Sequence, residues 1–79
     1  MSLCLRYFAS LRDAAGVESE LVALPGGDLA ALYADAARRH RFVLPRERLR
    51  VAVNGELVDW QRVPRDGDEV VFLPPVSGG

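Results

Sequence analysis

The length and composition of this sequence indicate one small globular domain and exclude several other classes of protein. Its 79 residues are near the smallest size at which one hydrophobic core suffices, and 49% hydrophobic with 27% charged residues argues against disorder. The net charge of −1 gives no general attraction to nucleic acid or to an anionic membrane, so neither is expected as a partner.

The cysteine and the basic residues limit the chemistry further. Cys4 is the single cysteine, which excludes an intrachain disulfide and a cysteine-rich metal cage and suits a reducing compartment. No signal peptide and no stretch of transmembrane length are recognised, so we expect a cytoplasmic protein. All ten basic residues are arginine, so the side chains offer no ε-amine for Schiff-base chemistry or isopeptide branching.

The first 24 residues predict two strands joined by a short helical turn. Residues 3–9 read as a strand with apolar positions on both faces, of which Arg6 marks the outer one. A helical turn over 10–15 would have Ser10 as its cap and Gly16 as its stop. The second strand is expected over about 18–24.

One amphipathic helix is predicted in the middle of the chain. Pro25-Gly26-Gly27 ends the preceding strand, and Asp28 is a good N-cap for a helix that runs to about Arg41. The apolar residues spaced along one face of this helix are Leu29, Leu32, Tyr33 and Ala36.

The second half of the chain predicts three more strands. Residues 49–53 and 56–58 are separated by Asn54-Gly55, the strongest short signal for a β-hairpin. Asp66-Gly67-Asp68 would turn the chain into a last strand over 69–73. This order of elements predicts an α+β domain of residues 1–74 in which a curved sheet wraps one main helix. Residues 75–79 are expected to form an extended, flexible C-terminal tail.

Alternation along the strands assigns three large apolar residues to the outer face of the sheet. Glu69 should face solvent, which puts Val71 and Leu73 on the same outer face, and Arg6 marks the outer face of the first strand, which Phe8 shares. The pattern also places Leu57 outside. If the three lie together, they form an exposed apolar patch of the kind that marks a partner surface. The alternatives are that a loop covers them or that they are scattered.

The end of the sequence is its most unusual stretch. Pro74 and Pro75 cannot donate to a sheet ladder and so end the last strand. Gly78 and Gly79 have no Cβ, so a terminal carboxylate on Gly79 could enter a channel too narrow for any other residue. A frayed end is the alternative. The residues before the glycines favour function because they form a stiff, apolar stem, which consists of Phe72, Leu73, Pro74, Pro75 and Val76.

The side chains give little sign of an autonomous enzyme. His40 and Cys4 lack a recognisable partner motif, so we interpret His40 as a helix-end residue and Cys4 as a small buried hydrophobe. The arginines between 38 and 50 are interpreted as a solvated surface, with an acidic partner or nucleic acid as the alternative. A free carboxylate is a poor electrophile, so acyl chemistry at Gly79 would need activation, for example as a mixed anhydride with AMP.

Four blocks of the sequence resemble the small subunits of molybdopterin synthase, the MoaD-type sulfur carriers, which have the ubiquitin-like β-grasp fold. These blocks are Leu5-Arg6-Tyr7-Phe8-Ala9-Ser10-Leu11-Arg12, Val51-Ala52-Val53-Asn54-Gly55, Asp66-Gly67-Asp68-Glu69-Val70 and Phe72-Leu73-Pro74-Pro75-Val76-Ser77-Gly78-Gly79. The last block is the specific one, since a terminal Gly-Gly alone is shared with the thiamine-pathway carrier and with ubiquitin-like modifiers.

The resemblance implies a mechanism and a set of partners. A ubiquitin-activating-type adenylyltransferase would use ATP and Mg²⁺ to adenylate Gly79, and a sulfur donor would convert the adenylate to a thiocarboxylate. This chain would bind no cofactor or metal itself. The tail would enter the molybdopterin synthase large subunit, which would hold the catalytic residues, in a complex of two small and two large subunits. Sulfur transfer to a cyclic pyranopterin monophosphate would then form the dithiolene of molybdopterin.

The resemblance also implies which residues contact the partners, and it leaves rival functions open. The expected interface consists of Phe8, Leu57, Leu73, Pro74, Pro75 and Val76. The rivals are a thiamine-type carrier with a different sulfur acceptor, a ubiquitin-like tag joined to target amines, and an interaction module with an inert tail.

Overall fold

The computed structural model describes residues 1–75 as five β-strands, two α-helices and one 3₁₀ turn. The strands are β1 (Ser2–Tyr7), β2 (Ser19–Ala23), β3 (Arg50–Val53), β4 (Glu56–Val58) and β5 (Glu69–Leu73). The helices are α1 (Ala9–Ala15) and α2 (Leu29–His40), and the 3₁₀ turn spans Arg46–Arg48. Neither helix of this part of the chain is long and apolar enough to cross a membrane.

The five strands form one mixed sheet in the order β2-β1-β5-β3-β4. β1 and β5 lie parallel to each other, with β5 in the centre, and every other neighbouring pair is antiparallel. The apolar side of α2 packs on one face of this sheet through the predicted residues Leu29, Leu32, Tyr33 and Ala36, all of which are buried. The α+β prediction of a sheet around one main helix is therefore confirmed.

The core lies between α2 and the inner face of the sheet, and strand alternation decides which residues reach it. Val70 and Phe72 of β5 are fully buried, as their position opposite the solvent-facing residues of β5 predicts. Burying such a side chain contributes about 1.5–3 kcal/mol. The other buried members of the core are Leu3, Leu5, Tyr7, Leu11, Leu29, Leu32, Tyr33, Ala36, Leu49, Val51 and Val53.

Helix α2 is capped by its own first residues and by a distant loop. The Asp28 Oδ1 accepts a hydrogen bond from the Ala31 N–H at 3.0 Å, which confirms the predicted N-cap. Two further N–H groups of the first turn donate to carbonyl oxygens in the loop 60–62, at 2.9 and 3.0 Å. The helix ends at His40 because Arg41 adopts a left-handed conformation with φ 58°.

The start of α1 differs from the prediction. Ser10 was expected to cap the helix, but Phe8 is the N-cap residue and makes no side-chain cap hydrogen bond. Ala9 has φ 51°, a left-handed conformation that turns the chain sharply out of β1 two residues before the predicted end of that strand. Gly16 closes α1 with φ 78°, as predicted. The other strand bounds agree with the predictions to within one residue.

Candidate partner surface and C-terminal tail

The last described residues of the chain, Pro74 and Pro75, follow the central strand of the sheet. Pro74 follows directly on β5, as predicted, so the stem begins between β1 on one side and β3 on the other. Leu73 and Pro74 are half-buried and Pro75 is exposed. The predicted stem residue Val76 and the predicted reactive residues Gly78 and Gly79 lie outside the residues that the structure describes.

The strand register brings together the apolar residues that alternation assigned to the outer face. Leu57 of β4 lies opposite Ala52 of β3, and Ala52 in turn lies opposite Val71 of β5. Leu73 follows two residues after Val71 and therefore shares its face. We call the apolar residues of this face, together with Phe8, which directly follows β1, the outer apolar patch: Phe8, Ala52, Leu57, Val71 and Leu73.

The exposure of these side chains confirms that they face outward. Phe8 is 43% and Leu57 57% exposed, so no loop among residues 1–75 covers them. Val71 and Leu73 are half-buried, and Ala52 is buried between its neighbours. Leu57, Ala52 and Val71 therefore form a continuous row across β4, β3 and β5 that leads to Leu73, and Phe8 follows β1 on the other side of β5.

Charged side chains border the outer apolar patch. The Arg6 guanidinium lies 6.0 Å from the centre of the Phe8 ring, within the range of a cation–π contact, and 3.5 Å from the Glu69 carboxylate. Arg50 lies directly opposite Leu73 in the β3–β5 pairing. An apolar centre with a charged border is the usual anatomy of a surface that binds another protein.

A polar cluster on the inner side of the sheet was missed by the sequence analysis. The Glu20 carboxylate of β2 accepts hydrogen bonds from the Tyr7 hydroxyl and from His40 Nε2, the latter at 2.7 Å. Arg39 of α2 lies 3.3 Å from the same carboxylate. His40 is thus one member of a hydrogen-bonded cluster that joins α2 to β1 and β2. Its position at the helix end is as predicted.

The hydrogen bonds to the Glu20 carboxylate together outweigh the effect of burial on its pKa. Burial alone would favour a neutral acid, but the hydrogen bonds from Tyr7, His40 and Arg39 lower the pKa of Glu20 to about 2. Burial, reinforced by the hydrogen bond to Glu20, raises the pKa of the Tyr7 hydroxyl. A carboxylate only accepts hydrogen bonds, so His40 Nε2 carries the proton that it donates.

Cys4 is only half-buried, whereas the sequence predicted a buried hydrophobe. It lies on the outer face of β1, opposite Leu21 of β2 and Glu69 of β5, where the sheet has no covering layer. Among residues 1–75, no three His, Cys, Asp or Glu side chains are grouped closely enough to hold a metal ion.

These features define a ubiquitin-like β-grasp domain with an apolar patch beside the root of a glycine-ended tail. The chain belongs to the ThiS family, whose model matches residues 5–79. It is 40% identical over 76 residues to the molybdopterin synthase sulfur carrier subunit of Escherichia coli, which covers 92% of this chain and 94% of that protein. The resemblance to molybdopterin synthase small subunits is therefore confirmed.

Solved structures share the fold over nearly the whole chain. A putative molybdopterin converting factor subunit 1 from Pyrococcus furiosus has a TM-score of 0.80 and 31% identity, covering 96% of this chain and 99% of its own. SAMP1 from Haloferax volcanii has a TM-score of 0.78 and 28% identity over the full length of both chains. A chain in the complex of subunits 1 and 2 of the molybdopterin-converting factor from Helicobacter pylori has a TM-score of 0.62 and 25% identity, again over both full lengths.

Proposed function

We propose that this protein is the sulfur carrier subunit of a molybdopterin synthase and that the Gly79 carboxylate carries the sulfur. The observation that supports this most directly is the 40% identity to the Escherichia coli sulfur carrier subunit over 92% of the chain. The fold adds a physical reason, since β5 leads directly into Pro74 and Pro75, which cannot donate to a sheet ladder and so end the strand.

The proposed reaction activates the carboxylate before sulfur is added. A carboxylate oxygen of Gly79 attacks the α-phosphorus of ATP on the adenylyltransferase, with Mg²⁺ balancing the phosphate charge, and pyrophosphate leaves. Sulfur from the donor, at the oxidation level of sulfide, then attacks the acyl carbon and AMP leaves, which produces a thiocarboxylate. On the large subunit, this sulfur would bond to a carbon of a cyclic pyranopterin monophosphate and form a thioester. Water then hydrolyses the acyl carbon–sulfur bond, which leaves the sulfur on the pterin and returns the Gly79 carboxylate. A second thiocarboxylated chain supplies the second sulfur of the dithiolene.

The large subunit is the partner that we propose for the outer apolar patch and the stem. The structure of the two Helicobacter pylori subunits in complex supports such a partner. Phe8, Leu57 and Leu73 would pack on that subunit, while Pro74, Pro75 and Val76 would direct the glycines into its active site. The same surface would bind the adenylyltransferase at a different stage, because the tail can enter only one active site at a time.

Intact-mass measurement tests the proposal and separates it from its rivals. The chain is incubated with the adenylyltransferase, ATP, Mg²⁺ and a sulfur source. We expect a mass gain equal to the exchange of one oxygen for one sulfur. Conjugates to lysines of other proteins would support a ubiquitin-like tag, a function that the likeness to the archaeal modifier SAMP1 keeps as the second candidate. No change would contradict both. A thiamine-type carrier would gain sulfur but fail to produce molybdopterin with the large subunit.

Two variants at the tail test the role of its glycines. Deletion of Gly79 and the substitution Gly78→Val should each abolish molybdopterin formation, because a Cβ at position 78 would block a narrow channel. The matched control is Gly26→Val, since a Cβ at Gly26 meets no heavy atom within 4 Å. Full activity of Gly78→Val would contradict the narrow channel.

A further inference from the structure

The sequence concentrates positive charge in one segment of a molecule that is otherwise acidic. Three of the ten arginines, Arg46, Arg48 and Arg50, alternate over five residues, and Glu47 is the only acidic residue between positions 36 and 50. We call these three residues the arginine strip. Because the net charge of the chain is −1, this positive charge is local and is not part of a generally basic surface.

The fold places the arginine strip beside the root of the tail. Arg50 is paired with Leu73 across β3 and β5, on the outer face of the sheet. The Arg46 guanidinium lies 5.8 Å from the centre of the Trp60 ring, and that ring stacks on Phe72 at 5.9 Å. Arg50 is therefore a direct neighbour of the end of β5, whereas Arg46 is linked to β5 through the Trp60 ring, which packs on the buried Phe72.

The charges of the strip are not neutralised within residues 1–75. None of the salt bridges of this part of the chain includes Arg46, Arg48 or Arg50. Arg48 and Arg50 are exposed, and Arg46 is held in place by the Trp60 ring. These three positive charges are therefore available to pair with the carboxylates of a docked negative surface.

From these observations, and resting on the proposed function, we propose that the arginine strip binds an acidic rim around the tail-binding channel of the molybdopterin synthase large subunit. The strip spreads over both faces of the sheet, so it matches a broad rim of Asp and Glu side chains better than one compact phosphate. It also adjoins the outer apolar patch through Leu73, so both surfaces would be covered by the same partner. Complementary charge of this kind mainly raises the association rate and orients the tail.

Stopped-flow measurement of association with the molybdopterin synthase large subunit tests the proposal. The test variant is Arg48→Gln/Arg50→Gln. The control, Arg62→Gln/Arg65→Gln, removes the same charge near Asp68, at the opposite end of β5. At about 0.01 M salt, where screening extends over about 30 Å, the test variant should associate about tenfold more slowly than the wild-type chain and the control. At about 1 M salt the three rates should converge.

Other results would overturn the proposal. Equal slowing of both variants would show an effect of net charge only, and a difference that persists at high salt would show a packing defect. Binding of inorganic phosphate or ATP to the free wild-type chain, lost in the test variant, would assign the strip to a phosphate ligand instead. Normal association and sulfur transfer by the test variant would overturn this inference alone. No association by the wild-type chain would overturn the proposed function as well.

Discussion

Glu20 is the residue on which the polar contacts between α2 and the sheet converge. It accepts hydrogen bonds from Tyr7 of β1 and from Arg39 and His40 of α2. β2 is an edge strand, and its outward-facing residues are mostly exposed, so little apolar packing holds it in place. Ionised Glu20 therefore supplies contacts to β2 that an apolar side chain would not.

We predict that Glu20 makes the protein more stable near neutral pH than in acid. Its pKa is near 4.5 in the unfolded chain and about 2 in the folded one, so the stabilisation is complete above pH 4.5 and is lost as pH falls toward 2. This difference in pKa corresponds to a contribution of at most about 3 kcal/mol to the free energy of unfolding. In urea denaturation at a series of pH values, Glu20→Gln should be less stable than wild type at pH 7, and the gap should narrow below pH 4.5. The exposed Glu56→Gln variant is the control, and a gap that stays constant with pH would contradict the prediction.

At the scale of the elements, Asn54 and Arg41, two of the three left-handed non-glycine residues among residues 1–75, adopt that conformation with different support. Asn54 begins the β3–β4 turn with φ 52°, and its side chain donates to Asp68 at 3.0 Å and accepts from the Glu69 N–H at 3.0 Å. Arg41 ends α2 with φ 58°, and no side-chain hydrogen bond of Arg41 occurs among residues 1–75. The left-handed conformation of Asn54 is therefore supported by tertiary contacts, whereas that of Arg41 is not.

The same replacement should consequently have opposite effects at the two positions. Asn54→Gly keeps a favourable hairpin turn but removes both hydrogen bonds and leaves Asp68 short of a donor, which should lower the free energy of unfolding by about 1–3 kcal/mol. Arg41→Gly removes the Cβ that makes a left-handed conformation unfavourable. The free energy of unfolding should therefore rise by up to about 1 kcal/mol, once the greater conformational entropy of glycine in the unfolded chain is subtracted. Arg41→Ala, which removes the charge but keeps the Cβ, should show no gain. Thermal unfolding of the three variants checks the signs, and a gain for Asn54→Gly would contradict this view of the turn.

Local sequence patterns predicted most of the helices and strands, and tertiary contacts determined the features that those patterns did not predict. The Asp28 side chain suits a helix N-cap, so the sequence predicts the start of α2. Asn54 and Gly55 suit the positive φ angles of a tight turn, so the sequence also predicts the hairpin. The start of α1 depends on Ala9, which adopts a conformation that its own type disfavours, and no sequence rule indicates that. The cluster around Glu20 joins residues 13 to 20 positions apart, so periodicity could not reveal it.

At the scale of the whole molecule, the alternation of residues along a strand predicts which face of the sheet each side chain lies on. It does not predict which residues of other strands lie beside that side chain. The sequence predicted that Phe8, Leu57 and Leu73 face outward, and the structure confirms it. That they belong to one patch depends on the strand order, which places β5 between β1 and β3 and brings distant parts of the chain together. Alternation also assigned Val71 to the outer face, but Ala52, which lies between Val71 and Leu57, has no feature in the sequence that marks it as part of this patch.

The outer apolar patch leads to a prediction that compares two exposed leucines on the same face of the sheet. Leu57, in the patch, is 57% exposed on edge strand β4, and Leu21 is 76% exposed on the opposite edge strand, β2. Leu57→Arg should weaken binding of the large subunit by about 2 kcal/mol, roughly 30-fold, because a charge would be buried against an apolar partner surface. Leu21→Arg should leave binding unchanged, and neither variant should lower the melting temperature, since both side chains lie outside the core. Calorimetric titration of each variant with the large subunit measures the difference, and equal affinities would show that the patch is not the docking surface.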